Sequence, residues 1–372
     1  MGGGLLQLVA YGAQDVYLTG NPQITFWKVV YRRHTNFSME AIEQSFNGSP
    51  RFGSRVTAQI SRNGDLIHRM WLQLDMPALS GASDRYVDFA GLALIKSVEL
   101  EIGGQKIDKH YGEWMHIWNE LSMPAGKAEG YKTMVGSSTA VAGAAKTTLY
   151  VPLEFWFCRN PGLALPLIAL QYHDVKVNIE FEELAKVAGS TAVANGTLEA
   201  RLWVDYVFLD TDERRRFSQM SHEYLIDQLQ FTGDETTLNN VKLNFNHPVK
   251  ELVWVLKSGA AAEKKLEYLG SFDSAKLQLN GHDRFAERQS EYFSLVQPFQ
   301  HHENVPVGSG IYLYSFALKP EEHQPSGTLN MSRIDTASLK LTGADAAHAK
   351  VFATNYNVLR IMSGMGGLAF AN

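Results

Sequence analysis

Apolar and polar side chains alternate with a period of two along most of the chain. Val98, Leu100 and Ile102 alternate with glutamates and end at a glycine pair, and the longest such run covers residues 198–208. Alternation of this kind places one face of a strand on a core and the other in water. Asn-Gly and Gly-Gly pairs between the runs are typical of antiparallel hairpins. The pattern therefore predicts an all-β protein built from sandwiches rather than from a parallel α/β sheet.

One helix interrupts the predicted strands. Within residues 111–122 the large apolar side chains recur at helical spacing and Pro124 ends the pattern; they are Trp114, Ile117, Trp118 and Leu121. Three other segments, 125–146, 184–197 and 258–265, carry few large side chains. Such segments bury little surface, and we predict that they are surface loops.

An internal repeat organises the whole chain. The matching segments are 39–48 with 224–233, Asn63 and Trp71 with Asn246 and Trp254, 97–104 with 274–281, Leu149 and Tyr150 with Leu313 and Tyr314, and 205–209 with 355–359. Their offsets fall steadily, as 185, 183, 177, 164 and 150. Any two β domains share isolated matches, but the offsets of chance matches would scatter. The ordered decline favours a duplicated fold whose first copy has longer loops.

Each copy contains about eight predicted strands. They are 39–46, 55–62, 66–75, 95–102, 105–109, 147–155, 173–181 and 198–209 in the first copy, and 224–231, 240–246, 249–256, 274–280, 282–286, 311–318, 335–342 and 350–359 in the second. Eight antiparallel strands in two sheets is the strand count of a jelly roll. The predicted fold is thus all-β, with two tandem eight-stranded antiparallel jelly rolls and short helices in loops. The predicted domains are an N-terminal arm (1–25), a first jelly roll (26–212), a connector (213–223) and a second jelly roll (224–372).

Charge balance and cysteine content exclude several classes of function. The 372 residues carry 34 Lys+Arg and 39 Asp+Glu, a formal net charge of −5, with no long run of either sign. This balance argues against a protein that coats nucleic acid. The single cysteine, Cys158, excludes an intrachain disulfide and a thiolate zinc cluster, and it favours folding in a reducing compartment. The first residues do not resemble a secretory signal, and no run of about 18 apolar residues predicts a membrane span.

Motifs for phosphate or metal binding are incomplete. The segment 143–147 lacks the glycine that directly precedes lysine in a phosphate-binding loop. His116 has Glu120, not a second histidine, at the spacing that a helical zinc site needs. The run His301, His302 and Glu303 is the best metal candidate, but adjacent histidines of a strand point to opposite faces.

Two further features allow a structural and a functional interpretation. A thiolate at Cys158 beside Arg159 would be reactive, but a half-buried structural thiol is the favoured alternative. Three consecutive arginines, at positions 214–216, suit phosphate or a neighbouring subunit's carboxylates, or else a solvated linker. We therefore predict no catalytic, cofactor-binding or metal-ligating residue and no cofactor. The competing classes are a carbohydrate-binding jelly-roll module and a metal-dependent jelly-roll enzyme using His301 or His302.

Several long segments, spread from end to end, resemble one family. Residues 5–26 and 31–37, then 59–66, 314–335 and 355–370, resemble the major capsid proteins of nucleocytoplasmic large DNA viruses, with the algal-virus and iridovirus branch the most similar. The resemblance implies a double jelly roll and a non-enzymatic viral coat protein. It also implies a homotrimer whose six rolls form a pseudo-hexagonal capsomer, with capsomers tiling an icosahedral shell. A minor capsid paralogue is the alternative within the family.

The resemblance carries expectations about partners and location. The expected partners are two further copies of the chain, neighbouring capsomers and minor capsid proteins on the inner face of the shell. We expect no direct contact with nucleic acid and no transmembrane segment. The expected location is the virion, after assembly in the host cytoplasm. The arm, which has no counterpart in the repeat, is expected to contact a neighbouring subunit or inner shell proteins.

Overall fold

The computed structural model describes residues 2–80, 84–136, 145–188, 192–258 and 266–371. The chain divides into two compact units, residues 1–36 and 37–372. The first unit contains helices α1 (Gly3–Val9) and α2 (Val16–Thr19), and neither helix has a buried residue. Thr19 donates its hydroxyl hydrogen to the Asp15 carbonyl within this unit. The predicted boundaries of the arm and of the connector stay predictions.

The second unit begins with eight principal strands that form two sheets. They are β1 (Phe37–Gln44), β2 (Arg55–Gln59), β3 (Leu66–Met76), β4 (Ile95–Ile102), β5 (Gln105–His110), β6 (Thr147–Pro152), β7 (Val175–Phe181) and β8 (Glu199–Leu209). One sheet has the order β1–β8–β3–β6 and the other β2–β7–β4–β5, with every pair antiparallel. Two-residue strands at Phe46–Asn47, Ala78–Leu79, Leu165–Pro166 and Ala194–Asn195 extend or flank these sheets.

Eight further strands repeat this arrangement. They are β9 (His222–Phe231), β10 (Val241–Lys242), β11 (Pro248–Lys257), β12 (Ser274–Leu279), β13 (His282–Asp283), β14 (Ile311–Ser315), β15 (Ala337–Thr342) and β16 (His348–Met362). Their sheets are β9–β16–β11–β14 and β10–β15–β12–β13, so each strand takes the place of the strand eight numbers earlier. Shorter strands lie at Arg288–Gln289, Leu329–Asn330 and Met365–Leu368. The predicted double jelly roll is confirmed, although β10, β13 and β14 are shorter than predicted.

Hairpin turns account for the glycine pairs. Gly103 and Gly104 join β4 to β5 with φ angles of +58° and +83°. A two-residue turn with two positive φ angles matches the twist of the paired strands, and glycine adopts it without a steric penalty.

Short helices occupy the connections of the second unit. They are α3 (Ala90–Leu94), α4 (Gly112–Ser122), α5 (Ala125–Val135), α6 (Trp156–Arg159), α7 (Leu184–Ala188), α8 (Thr211–Gln219) and α9 (Gln297–His301), with a π-helical turn at Tyr292–Val296 and 3₁₀ turns at Pro161–Leu163, Leu167–Ala169, Leu238–Asn240 and Met331–Arg333. The predicted helix at 111–122 is confirmed. Among the described residues, no helix is long and apolar enough to cross a membrane.

Two of the predicted loops contain regular structure. Residues 125–135 form α5 because Tyr131 and Val135, four residues apart, are buried on one side of it. Residues 184–188 form α7, whose Val187 is buried. Residues 137–144, 189–191 and 259–265, which belong to the predicted loops, lie outside the described part of the chain.

The strand registers shift four of the five matches in the predicted repeat: β1 and β9 align at an offset of 188, β3 and β11 at 182, β6 and β14 at 161, and β8 and β16 at 149. The match of Trp71 with Trp254 shows the consequence. Trp254 points into the second core, whereas Trp71 points outward from β3 and is half-buried. The inward residues of β3 are Met70, Leu72 and Leu74, so the position of Trp254 corresponds to an inward neighbour of Trp71. Because side chains alternate along a strand, an offset that is wrong by one residue exchanges the two faces.

Candidate interface between the jelly rolls

Helix α4 connects the two jelly rolls. It follows β5, and its Met115 side chain lies in the core of the first roll. On its other side Trp114, Ile117, Trp118 and Leu121, here called the α4 face, pack against the second roll. The residues they contact, here called the second-roll outer face, lie on β11, β14 and β16; they are Val253, Val255, Ile311, Leu313 and Phe352. All of these side chains are buried.

This contact explains why β11 is apolar on both faces. Leu252, Trp254 and Leu256 point into the second core, and Val253 and Val255 point to α4. A strand that is buried on both faces reads as a continuous apolar run instead of an alternation. Burying large apolar side chains in this way contributes about 1.5–3 kcal/mol each.

A buried ionic cluster lies beside the α4 face. The Glu113 carboxylate at the start of α4 is 2.6 Å from the Lys257 Nζ and 2.7 Å from the Lys350 Nζ, both on the second roll. Burial alone would raise the pKa of Glu113, but the two ammonium groups lower it below its usual value. The cluster therefore ties α4 to β11 and β16 by charge as well as by apolar packing.

His302 lies in a second buried ionic cluster. Its Nε2 is 2.8 Å from Glu251 Oε2 and its Nδ1 is 2.7 Å from Glu321 Oε1. Burial alone would lower the pKa of His302, but the two carboxylates raise it to about 9. Both ring nitrogens therefore donate hydrogen bonds as an imidazolium, and the edge of the Trp118 ring packs close to the His302 ring. Removing either carboxylate would leave the histidine charge poorly compensated.

The two histidines predicted as metal candidates do not lie on a strand. His301 is the last residue of α9 and His302 follows it, so the pair lies at a helix end and not on a strand. The His301 Nδ1 is 3.0 Å from the Leu318 carbonyl oxygen, and both His302 nitrogens are engaged by carboxylates. Among the described residues, no three histidine, cysteine, aspartate or glutamate side chains are placed to hold a metal ion. The expected lack of a cofactor stays a prediction.

Cys158 lies in the core of the first roll, and its neighbour Arg159 reaches the second roll. Burial raises the pKa of the Cys158 thiol far above its usual value, which favours the structural interpretation over a reactive one. The Arg159 guanidinium lies 4.1 Å from the centre of the Trp118 ring and 3.8 Å from Asp227 of the second roll. It therefore combines a cation–π contact with an ion pair across the two rolls.

Arg214, Arg216 and His116 have contacts within the chain, and the Arg215 side chain is exposed. Arg214, in α8, places its Nε 3.0 Å from Asp65 Oδ1, and Arg216 pairs with Glu213 one turn earlier. His116 is buried in α4, and burial lowers its pKa to about 4. Of the incomplete phosphate motif, residues 143 and 144 lie outside the described part of the chain.

The sequence reasoning missed the interface between the rolls. Glu113, Lys257 and Lys350 are far apart in the sequence and belong to no recognisable motif. A usable signal was present in the uninterrupted apolar run at 252–256, which alternation cannot explain. The other signal was the tryptophan-rich face of the helix at 111–122. Its apolar surface is larger than packing against a single roll requires.

Comparison with known proteins identifies the family of the chain. Residues 25–210 match the family model described as the major capsid protein N-terminus, and residues 213–367 match the large eukaryotic DNA virus major capsid protein. The major capsid protein of Pyramimonas orientalis virus is 62% identical over 401 aligned positions, and the alignment covers 100% of both proteins. The major capsid protein of Paramecium bursaria Chlorella virus 1 is 46% identical, with 100% of both covered.

Solved structures of capsid proteins have the same fold as this chain. The quasi-atomic structure of the PBCV-1 virus capsid superimposes with a TM-score of 0.84 at 41% identity, covering 94% of this chain and 100% of that one. The Faustovirus major capsid protein has the same fold, with a TM-score of 0.78 at 14% identity, covering 95% of this chain and 94% of that one.

These features define a double jelly-roll viral coat protein. The chain belongs to the family of major capsid proteins of large eukaryotic DNA viruses. It is a structural component of the virion capsid, and its relatives are capsid proteins rather than enzymes. Full-length matches of this kind decide in favour of the coat protein over the carbohydrate-binding and metal-enzyme alternatives.

Proposed function

We propose that three copies of the chain form a trimer whose six jelly rolls make a pseudo-hexagonal capsomer, and that these capsomers tile an icosahedral capsid. The observation that carries the proposal is the identical strand order of the two rolls within one chain. A threefold assembly of a duplicated fold presents six similar lobes, so neighbouring capsomers can pack in a nearly hexagonal array. The resemblance to a solved capsid over the whole of its coat protein supports the same arrangement.

The proposed partners follow from this geometry. They are two further copies of the chain, neighbouring capsomers and minor capsid proteins on the inner face, and assembly takes place in the host cytoplasm. The arm, residues 1–25, supplies contacts to a neighbouring subunit or to inner proteins. The exposed run of Leu5, Leu6, Leu8 and Val9 on α1 supports this role, because clustered exposed apolar side chains mark interaction sites. Direct contact with nucleic acid has no part in the proposal.

The test of the trimer is a mass and shape measurement on the purified full-length chain. Light scattering coupled to size exclusion is expected to give three times the 41.5 kDa mass of one chain. Electron microscopy of the same sample is expected to show six-lobed particles. A particle that stays monomeric at high concentration would overturn the proposal.

The role of the arm has its own test. A chain lacking residues 1–25 is compared with the full chain for trimer formation and for association between capsomers. Loss of either property supports the proposed contacts. If both are unchanged, the arm does not have this role.

A further inference from the structure

The helix that joins the rolls has a counterpart in the second roll. The connection from β5 to β6 contains α4, and the equivalent connection from β13 to β14 contains the helical segment 291–301. Met115 points into the first core, and Phe293, 178 positions later, points into the second. In a gapless sequence alignment at this offset, Tyr292, Leu295, Val296 and Phe299 correspond to Trp114, Ile117, Trp118 and Leu121. The first three lie in the π-helical turn that leads into α9, and Phe299 lies in α9.

The two apolar helix faces differ in what covers them. The α4 face is buried against the second roll. In contrast, Leu295, Val296 and Phe299, here called the α9 face, are 39%, 40% and 79% exposed. The α4 face is thus completely buried within the chain, whereas the equivalent α9 face is open to solvent.

Strand registers identify the counterpart of the second-roll outer face. In the first roll, Tyr206 pairs with Ile67, and after a bulge Val204 pairs with Met70. In the second roll, Asn355 pairs with Val249, and after a bulge Ala353 pairs with Leu252. The shared bulge aligns β3 with β11 at an offset of 182, and β8 with β16 at an offset of 149.

This alignment places an aromatic surface on the first roll. Trp71 takes the place of Val253, and Trp203 takes that of Phe352. On the neighbouring strand β6, Pro152 pairs with Trp71 as Leu313 pairs with Val253, and Tyr150 pairs with Gln73 as Ile311 pairs with Val255. The first-roll outer face is thus formed by Trp71, Gln73, Tyr150, Pro152 and Trp203.

The first-roll outer face has the character of a docking site. Trp71 and Trp203 stack with ring centres 6.4 Å apart, and Tyr150 is 40% exposed. A groove of about 640 Å³ runs beside them and is also lined by Met123, Pro124 and Met134. Aromatic and methionine side chains in a groove are enriched in the centres of protein interfaces.

One of the two ion pairs beside the α4 face has a counterpart in charge, whereas the position of Lys257 is taken by Asp75, which pairs with Lys146. Glu113, at the start of α4, binds Lys350 of the second roll. The offset of 178 places Glu291 at the position of Glu113, and the strand alignment places Arg201 at the position of Lys350. Both Glu291 and Arg201 are exposed. The α9 face therefore carries an acidic neighbour, and the first-roll outer face carries a basic one.

We propose that the α9 face of one copy docks on the first-roll outer face of the next copy, repeating between chains the contact that α4 makes within one chain. The proposal rests on the trimer proposed above and names its interface. Each chain then offers one helix face and one sheet face, and such a head-to-tail contact closes into a ring after three copies. Around that ring, the contact between the two rolls of one chain and the contact between the second roll of one chain and the first roll of the next become equivalent.

The test is disulfide trapping in the full-length chain. Phe299→Cys and Tyr150→Cys are combined, while the buried Cys158 is left in place. Oxidation is expected to give covalent dimers and trimers on a non-reducing gel. A matched variant combines Phe299→Cys with Val193→Cys and is expected to stay uncrosslinked. Val193 is 60% exposed, and its carbonyl oxygen accepts a hydrogen bond from the Ser80 N–H, beyond the end of β3.

A second test measures how a charge in the α9 face changes the stability of the trimer. Phe299→Asp is expected to weaken the trimer at least about 30-fold, as loss of a central interface residue does, with an unchanged circular dichroism spectrum. Val193→Asp is expected to leave the trimer intact. A wild-type trimer that neither crosslinks through positions 150 and 299 nor responds to Phe299→Asp overturns the docking and leaves the trimer standing. A wild-type chain without a trimer overturns both proposals.

Discussion

The His302 cluster makes the stability of the protein depend on pH in a defined direction. The pKa of His302 rises from an ordinary 6.5 to about 9 in the folded chain. The folded state therefore binds this proton more tightly, and the difference corresponds to about 3 kcal/mol. The side chains of His302 and Glu251 are fully buried, so solvent screens the interaction little. This stabilisation is fully present below pH 6.5, declines above it, and is lost as the pH rises through 9.

The measurement is denaturant unfolding at fixed protein concentration between about pH 6 and about pH 10, where the linkage applies. The double variant His302→Gln/Glu251→Gln carries neither buried charge and serves as the reference. The wild-type free energy of unfolding is expected to fall by about 3 kcal/mol more than that of the double variant over this range. The neighbouring variant His301→Gln changes a partly exposed ring whose Nδ1 hydrogen-bonds with the Leu318 carbonyl oxygen, and it should follow the wild type. Parallel curves for wild type and double variant would refute the imidazolium assignment.

Three more predictions concern the interface between the rolls. Trp118→Ala should lower the free energy of unfolding by about 3–5 kcal/mol, because it opens a cavity between α4 and the second roll; a loss below about 1 kcal/mol in denaturant unfolding would contradict the packing. Glu113→Gln removes the carboxylate that neutralises Lys257 and Lys350, and should cost about 3–5 kcal/mol by the same assay, whereas a neutral effect would show that the cluster is solvated. Cys158 should resist a thiol reagent in the native protein and react fully in denaturant, because burial raises its pKa; rapid native labelling would contradict this.

The strands and their duplication were predictable because they depend on local patterns. Alternation along residues 95–102 and 199–209 reports one buried face of a strand, and the repeat reports the order of the strands. The face of α4 was also visible in the spacing of its tryptophans. Its partner was not, since Val253 and Phe352 lie more than 100 residues away and no local pattern links them to Trp114.

Two errors have physical causes that a single sequence hides. Helix α5 contains two glycines, which have weak helix propensity, and it forms because Tyr131 and Val135 are buried by tertiary packing. Trp71 and Trp254 share a residue type but not a face, and the strand registers that separate them depend on a bulge. A bulge shifts the register by one residue without leaving a clear mark in composition.

The packing of the two rolls has a consequence for synthesis of the protein. Ile226, Leu359 and Ile361 of the second roll belong to the hydrophobic cluster of the first roll, while α4 of the first roll covers a sheet of the second. Neither half can reach its final state while the C-terminal strand is still inside the ribosome. A nascent or prematurely terminated chain exposes the tryptophans of α4, and such a surface recruits chaperones or aggregates. A chain truncated before β16 is therefore expected not to reach the folded form that a capsid incorporates.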